Sequence, residues 1–161
     1  MRFPNGKPTA NQSVNKMQLQ GTVDFAARQT AVWHSLTTPS IVSQCTPRLT
    51  GWSELAEHSQ FQLQFAWGNG SSAITIPLLL TWQEVTPPTL LQWRGEAKMG
   101  STLIPVEGTF QLTAPTMEMT TLAFTAVLDP PNKLLKQMLQ TTAPRFIDSF
   151  FSCLKITVET V

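Results

Sequence analysis

The sequence predicts an α+β fold in which a seven-stranded antiparallel sheet curls around one long C-terminal helix. Most of the chain alternates apolar and polar residues with period two, which is typical of strands that bury one face. From about Pro131 to Ile156 the apolar residues instead recur at helical spacing. One amphipathic helix beside a curled sheet buries its apolar side inside the curl. A cavity is expected wherever that helix does not fill the space.

The first elements are a strand and two short helices. Alternation predicts the strand at Met17–Phe25. The spacing of apolar residues predicts a helix around Ala27–Leu36. Thr38 is expected to cap a second helix, with Pro39 at its first position and Pro47 beyond its end.

The middle of the chain predicts six further strands in a meander. Turn residues separate alternating runs at about 49–56, 61–67, 74–82, 91–99, 104–112 and 122–128. Gly68-Asn69-Gly70 predicts a hairpin turn, and Ala114-Pro115 predicts the end of a strand. In the long helix that follows, Pro144 removes one backbone hydrogen bond and is expected to bend the helix.

Length and charge limit the possible organisation and partners. The chain of 161 residues is expected to form a flexible leader at residues 1–16 and a single domain at 17–161. Only 13% of the residues are charged and the net charge is +1, so a nucleic-acid partner is not expected. A surface with so little charge suits uncharged partners.

Location and cysteine chemistry follow from the termini and the thiols. No apolar run reaches the roughly 18 residues that cross a membrane, and the N-terminus lacks the apolar core of a signal peptide. A cytoplasmic protein is therefore expected, with peripheral contact to the inner face of the membrane left open. In that compartment Cys45 and Cys153 are expected to be reduced and buried rather than disulfide-bonded.

One motif in the first helical region resembles a known family. Val32–Pro39 reads VWHSLTTP and is followed by Cys45-Thr46-Pro47. The run resembles the V-W-x-x-L-x-D-P…C-x-P pattern of the G-subunit family of carbon monoxide dehydrogenase, which belongs to the START-like (SRPBCC) superfamily of helix-grip proteins. Gly108–Leu112 and Phe150–Leu154 are also similar to that family, over roughly residues 17–156. The chain departs from the family pattern at Ala27, Thr38, Arg48-Leu49 and Pro144.

The resemblance implies a helix-grip fold and a role with hydrophobic ligands or membranes. Members of the family are associated with molybdenum hydroxylases of the carbon monoxide dehydrogenase type, and with membrane attachment or quinone handling. It therefore implies a hydrophobic small molecule as partner, with a membrane surface and a molybdenum hydroxylase as further candidates. No cofactor is expected.

Residues suited to catalysis do not converge in the sequence. His34 falls in the first short helix and His58 in a turn, so they are not expected to share a metal or a nucleophile. Glu96 and Glu107 are out of phase with the apolar faces of their strands and are expected to face solvent. No metal-binding, nucleophile or phosphate-binding motif occurs. Enzymatic activity and a metal site are therefore not expected.

Aromatic and small residues on the inward strand positions predict a ligand cavity. Gly95, Ala97 and Gly108 stand where a packed core favours branched aliphatic residues, so they either allow sheet curvature or leave empty volume. The expected lining is Phe65, Ile76, Leu78, Trp93, Gly95, Ala97, Gly108, Phe110, Phe124, Leu135, Leu139 and Phe146. Of these, Phe146 is expected to pack into the sheet as a core aromatic. The same residues would equally suit an ordinary core.

The turns after the third, fifth and seventh strands share one end of an antiparallel meander. Apolar residues gather beside them and predict a pocket mouth that dips into a lipid interface, although they could also close the barrel end. These residues are Trp67, Met99, Leu103, Ile104, Leu134 and Met138.

Three functions are compatible with this sequence. The first is non-catalytic binding or transport of a quinone, isoprenoid or other lipid in an internal cavity, for which the family resemblance implies a molybdenum hydroxylase as a candidate partner enzyme. The second is a membrane adaptor or assembly factor for such an enzyme. The third is a cyclase-like or hydratase-like enzyme, which needs a polar group inside the pocket.

Overall fold

The computed structural model describes residues 15–68 and 70–160. Apart from Asn15 and Lys16, the expected leader lies outside the described residues, as does Asn69 of the predicted hairpin turn. A 3-10 turn occupies Gly70–Ser72. The other elements are β1 (Met17–Phe25), α1 (Gln29–Leu36), α2 (Pro39–Cys45), β2 (Leu49–Ala56), β3 (Gln60–Trp67), β4 (Ile74–Thr86), β5 (Leu90–Met99), β6 (Thr102–Thr116), β7 (Met119–Leu128) and α3 (Lys133–Glu159).

The strands form one seven-stranded sheet in the order β1-β7-β6-β5-β4-β3-β2. Every neighbouring pair is antiparallel. The helix-grip architecture predicted from the sequence is therefore confirmed. We call the end of the sheet at which α3 begins the proximal end; it holds the β3–β4 and β5–β6 turns. The distal end holds the β2–β3, β4–β5 and β6–β7 turns.

β6 is longer than the alternation predicts. Instead of ending at Ala114-Pro115, the strand continues to Thr116, which is opposite Met119 of β7. The register shifts between the Thr113 and Thr116 pairs. Pro115 lies within that irregular stretch, where a residue without an N–H group is tolerated.

The N-cap residues of α2 and α3 differ in whether their side chains cap the helix. Thr38 is the N-cap residue of α2, but its side chain makes no capping bond; the hydroxyl donates instead to the carbonyl oxygen of His34. The side-chain cap predicted for α2 is therefore wrong. Asn132 caps α3, and its Oδ1 accepts a hydrogen bond of 2.8 Å from the N–H of Leu135.

α3 continues through Pro144 and ends at Glu159, one turn later than predicted. Its C-terminal turns are tied to the distal end of β1. Glu159 Oε2 accepts a 2.8 Å hydrogen bond from the N–H of Ala26, and Lys155 Nζ donates to the carbonyl oxygen of Asp24. Within the described part of the chain, no helix is long and apolar enough to cross a membrane.

The closely packed core lies at the distal end, between α1, the last turns of α3 and strands β1, β6 and β7. Phe151 is 5% exposed and stacks on Phe124 at a ring separation of 5.3 Å. Phe146, the expected core aromatic, is instead 38% exposed. The buried core consists of Phe25, Val32, Leu36, Cys45, Leu112, Leu122, Phe151, Leu154 and Val158.

A disulfide joins Cys45 at the end of α2 to Cys153 of α3. The prediction of two reduced thiols is therefore wrong. Packing of α2 on α3 brings the two Cα atoms to 5.3 Å, which lies within the range that a disulfide spans. The bond fixes α2 against the C-terminal third of the long helix.

Candidate functional site

A large cavity lies between the proximal part of α3 and the concave face of the sheet. Its volume is about 840 Å³, which is towards the upper end of the roughly 300–1,000 Å³ of small-molecule pockets. It exists because the buried residues of α3, which are Phe151, Leu154 and Val158, all lie in its last turns. The preceding turns of α3 border the cavity.

Most of the lining comes from inward-facing residues of five consecutive strands. Alternate positions project to the same face of a strand, so β3 to β7 each contribute a short apolar row. The rows are Phe61, Leu63, Phe65 and Trp67; Ile76, Leu78, Leu80 and Trp82; Leu91, Trp93, Ala97 and Met99; Ile104, Val106 and Phe110; and Phe124, Ala126 and Leu128.

One side of α3 forms the opposite wall. Leu135, Leu139, Ala143, Phe146 and Phe150 line the cavity at intervals of three or four residues, which is the spacing of one helical face. The Phe146 ring reaches the Phe65 ring of β3 at a centroid distance of 6.1 Å. This contact joins α3 to the β2–β3 side of the sheet across the cavity.

The structure brings the sequence-predicted lining residues together, except for two glycines. Gly95 and Gly108 do not line the cavity. A Cβ at Gly95 would lie 2.9 Å from Val106 Cγ1 and 3.1 Å from Leu78 Cδ1. At Gly108 it would lie 2.5 Å from Trp93 Cζ2. Neighbouring side chains therefore occupy the space above both glycines, and the expectation that these two residues border empty volume is wrong.

The glycine at position 108 instead lets a large side chain lie along the sheet. The Trp93 indole covers it and meets Phe110 at a ring separation of 6.1 Å. Trp93 Nε1 is buried and has no hydrogen-bond partner among the described residues. Because the indole lies along the sheet, less of it extends towards α3.

The lining residues that are exposed to solvent mark the opening of the cavity. They are Arg48, Trp52 and Gly68 on the β2–β3 side, and Thr142, Arg145, Phe146 and Ser149 on α3. We call this gap the lateral opening. Sequence reasoning missed it, because the polar residues concerned belong to patterns that are typical of an ordinary solvated surface.

The predicted pocket mouth at the proximal end is divided between two cavities. A second pocket of about 250 Å³ lies there between the β5–β6 turn and the start of α3. Met99 and Ile104 line both cavities, Leu134 and Met138 line the smaller one, and Trp67 lines the larger one. Leu103 lines neither; it is 55% exposed and is opposite Lys98.

The charged groups of the lining are limited to two arginines. Among the described residues, Arg48 and Arg145 line the main cavity, and no Asp, Glu or His does so. Glu96 and Glu107 are exposed, as the alternation predicts, and so are His34 and His58. The cavity can therefore hold an apolar molecule, but it presents no carboxylate or imidazole to act as a general base.

Comparison with known proteins identifies the fold. No protein-family model matches the chain, and no curated protein sequence matches it significantly. Solved structures do match: a conserved protein from Geobacillus kaustophilus superposes with a TM-score of 0.79 at 20% identity, covering 88% of this chain and 95% of that one.

Two further matches carry more specific descriptions. The Zhui aromatase/cyclase from a Streptomyces species has a TM-score of 0.69 and 14% identity, over 89% of this chain and 94% of that one. A START superfamily protein from Mycobacterium smegmatis has a TM-score of 0.68 and 16% identity, over 89% and 97%. At these identities the likeness establishes the fold alone. The resemblance to the G-subunit family of carbon monoxide dehydrogenase stays a prediction, and the chain has the helix-grip fold of START-like proteins.

Proposed function

We propose that this protein binds or carries a hydrophobic small molecule without transforming it. The observation that carries the proposal is the cavity of about 840 Å³, whose strand and helix walls are almost entirely apolar. Burial of apolar ligand surface at about 25 cal/mol per Å² is the driving force that such a lining supplies. A quinone, an isoprenoid or another lipid has suitable chemistry.

Four tryptophans make this proposal directly measurable. Trp52, Trp67, Trp82 and Trp93 line the cavity, so a bound fluorophore lies close to the indoles. Titration with the uncharged dye N-phenyl-1-naphthylamine should quench tryptophan emission and sensitise the dye, with saturation at one site. Organic extraction and mass spectrometry of the purified protein should then identify any co-purified lipid. A dye that neither quenches nor saturates would contradict the proposal.

We further propose that the proximal end contacts an anionic membrane surface during loading. Three exposed aliphatic side chains from different elements gather there: Ile74 is 51% exposed, Leu103 55% and Leu134 69%. Lys98, Lys133 and Lys136 lie at the same end, where the acid Asp129 is half-buried. The distal end carries Glu54, Glu57 and Glu84, together with Glu118, which forms an ion pair of 3.2 Å with Arg28. Although the net charge is only +1, these lysines lie at the proximal end and these acidic residues at the distal end. This asymmetry of charge favours one orientation on anionic lipid.

The adaptor and enzyme alternatives remain distinguishable. The residues of the family-like motif, Val32, Leu36 and Cys45, belong to the buried core, so they support the fold rather than a particular partner. An adaptor for a molybdenum hydroxylase would bind that enzyme with the cavity empty. A cyclase would convert a polyketide-like substrate, and the lack of a carboxylate or imidazole in the described lining disfavours it.

A further inference from the structure

The two charged residues of the cavity lining are both cationic and both lie at the lateral opening. Arg48 follows α2 at the start of β2, and Arg145 lies near the middle of α3; both are exposed. The strand residues that line the cavity are apolar apart from Thr125, whose hydroxyl lies 2.7 Å from that of Thr109 in a hydrogen bond. The charged part of the described lining is therefore confined to the lateral opening.

Packing places the two arginines on either side of this opening. Arg145 adjoins Phe146, whose ring meets that of Phe65 at 6.1 Å. Phe65 is in turn opposite Leu49, the residue after Arg48. The Phe146–Phe65 contact thus connects the helix segment that carries Arg145 with the strand end that carries Arg48.

Both guanidinium groups retain donor capacity. Arg48 donates from Nε to the carbonyl oxygen of Ala66 at 2.8 Å and from Nη2 to that of Gly68, which orients the group and leaves Nη1 unused. Arg145 forms no salt bridge with a described residue, although Asp148 lies one turn further along the same helix. Arginine pairs geometrically with carboxylate and phosphate oxygens.

We infer that the ligand is an amphipathic molecule with an acidic head group, which Arg145 and Arg48 bind at the lateral opening while its apolar chain fills the cavity. The inference rests on the proposed function and specifies its ligand class. A carboxylate or a phosphate supplies the same chemistry. The apolar chain accounts for most of the affinity, and the arginines select the charged head over an uncharged one.

The test compares ligands that share one chain and differ in the head group. Oleic acid, oleyl phosphate and oleyl alcohol are titrated against protein loaded with N-phenyl-1-naphthylamine, and displacement is followed by fluorescence. The wild type should bind the two acidic ligands about tenfold more tightly than the alcohol, as charge-assisted hydrogen bonds do. The ratio of oleate to oleyl phosphate affinity shows whether the head is a carboxylate or a phosphate.

Variants separate the arginines from general electrostatics. Arg145→Gln, alone and with Arg48→Gln, should remove the preference, so that oleate and oleyl phosphate bind no more tightly than oleyl alcohol. Arg94→Gln, at an exposed position on the other face of β5, should keep the preference. Equal affinity of the wild type for all three ligands, or an unchanged preference in Arg145→Gln, would overturn this inference while the proposed function stands. Failure of the dye and all three ligands to bind would overturn both.

Discussion

The Trp93 indole covers Gly108 so closely that a Cβ on the glycine would lie 2.5 Å from Trp93 Cζ2 and 2.5 Å from the carbonyl oxygen of Thr125. The second contact is to backbone of the neighbouring strand β7, which cannot move aside as a flexible side chain can. Gly108 of β6 therefore determines where the Trp93 indole of the neighbouring strand β5 lies. Because Trp93 lines the cavity, this pair sets the position of part of the cavity wall.

Gly108→Ala should consequently destabilise the protein by about 1–3 kcal/mol, as overpacking does. Gly51→Ala is the matched control, since a Cβ there meets nothing within 4 Å; it should change the free energy of unfolding by less than about 0.5 kcal/mol. Chemical denaturation measures both. Equal stability of the two variants would show that Trp93 and β7 adjust freely around a methyl group at position 108.

Replacement of aromatic residues in α3 should distinguish its anchored part from its cavity-lining part. Phe151 is 5% exposed and stacks on Phe124, so Phe151→Ala should cost about 3–5 kcal/mol. Phe146 is 38% exposed, so Phe146→Ala should cost less than about 2 kcal/mol. Thermal and denaturant unfolding provide the comparison. A larger loss of stability in Phe146→Ala than in Phe151→Ala would show that α3 is anchored near Phe146 and not by its last turns.

The disulfide should contribute measurably to stability. Cys45 and Cys153 are separated by 108 residues, and closing so long a loop typically stabilises a domain by about 2–5 kcal/mol. Dithiothreitol should lower the denaturation midpoint of the wild type to that of the Cys45→Ser/Cys153→Ser variant, which itself should not respond to the reductant. Two free thiols in unfolded, unreduced protein would show that this bond does not form.

Membrane contact should depend on both the aliphatic side chains and the lysines of the proximal end. Co-sedimentation with vesicles of phosphatidylglycerol and phosphatidylcholine should decrease in Leu103→Asp/Leu134→Asp and in Lys133→Gln/Lys136→Gln. Binding should also weaken as salt rises, because exposed charges are screened over about 10 Å at 0.1 M ionic strength. Met117→Asp is the control, since Met117 is 73% exposed at the distal end. Equal loss in all three variants would contradict an oriented contact.

The architecture could be predicted from the sequence because periodicity reports burial directly. β1 and β2 occur at the predicted residues, and most of the strand residues that were predicted to face inward lie beside the cavity. The predictions that were wrong concern distances between residues in the folded protein. No spacing links Cys45 to Cys153, and no pattern shows that the space above Gly95 and Gly108 belongs to their neighbours' side chains.

In the long helix α3, too, periodicity could not predict the position of every residue. Phe150 and Phe151 are adjacent on one broad apolar side and both line the cavity, so periodicity alone cannot show that Phe151 is the one buried in the core while Phe150 only packs against it. Arg145 has the spacing of a solvated residue, and its place at the lateral opening becomes visible only when β2 and β3 are positioned opposite it. Both distinctions arise from tertiary packing.

The most direct test of an empty, ligand-accepting cavity is Ala97→Trp. Ala97 lines the cavity between its opposite partners Leu78 and Ile104, which line it too. A tryptophan there should abolish binding of N-phenyl-1-naphthylamine and change the free energy of unfolding by less than about 1 kcal/mol, because it fills available space. Ala123→Trp, at an exposed position of β7, should bind the dye normally. Unfolding of the Ala97→Trp protein, or undiminished dye binding by it, would contradict the account.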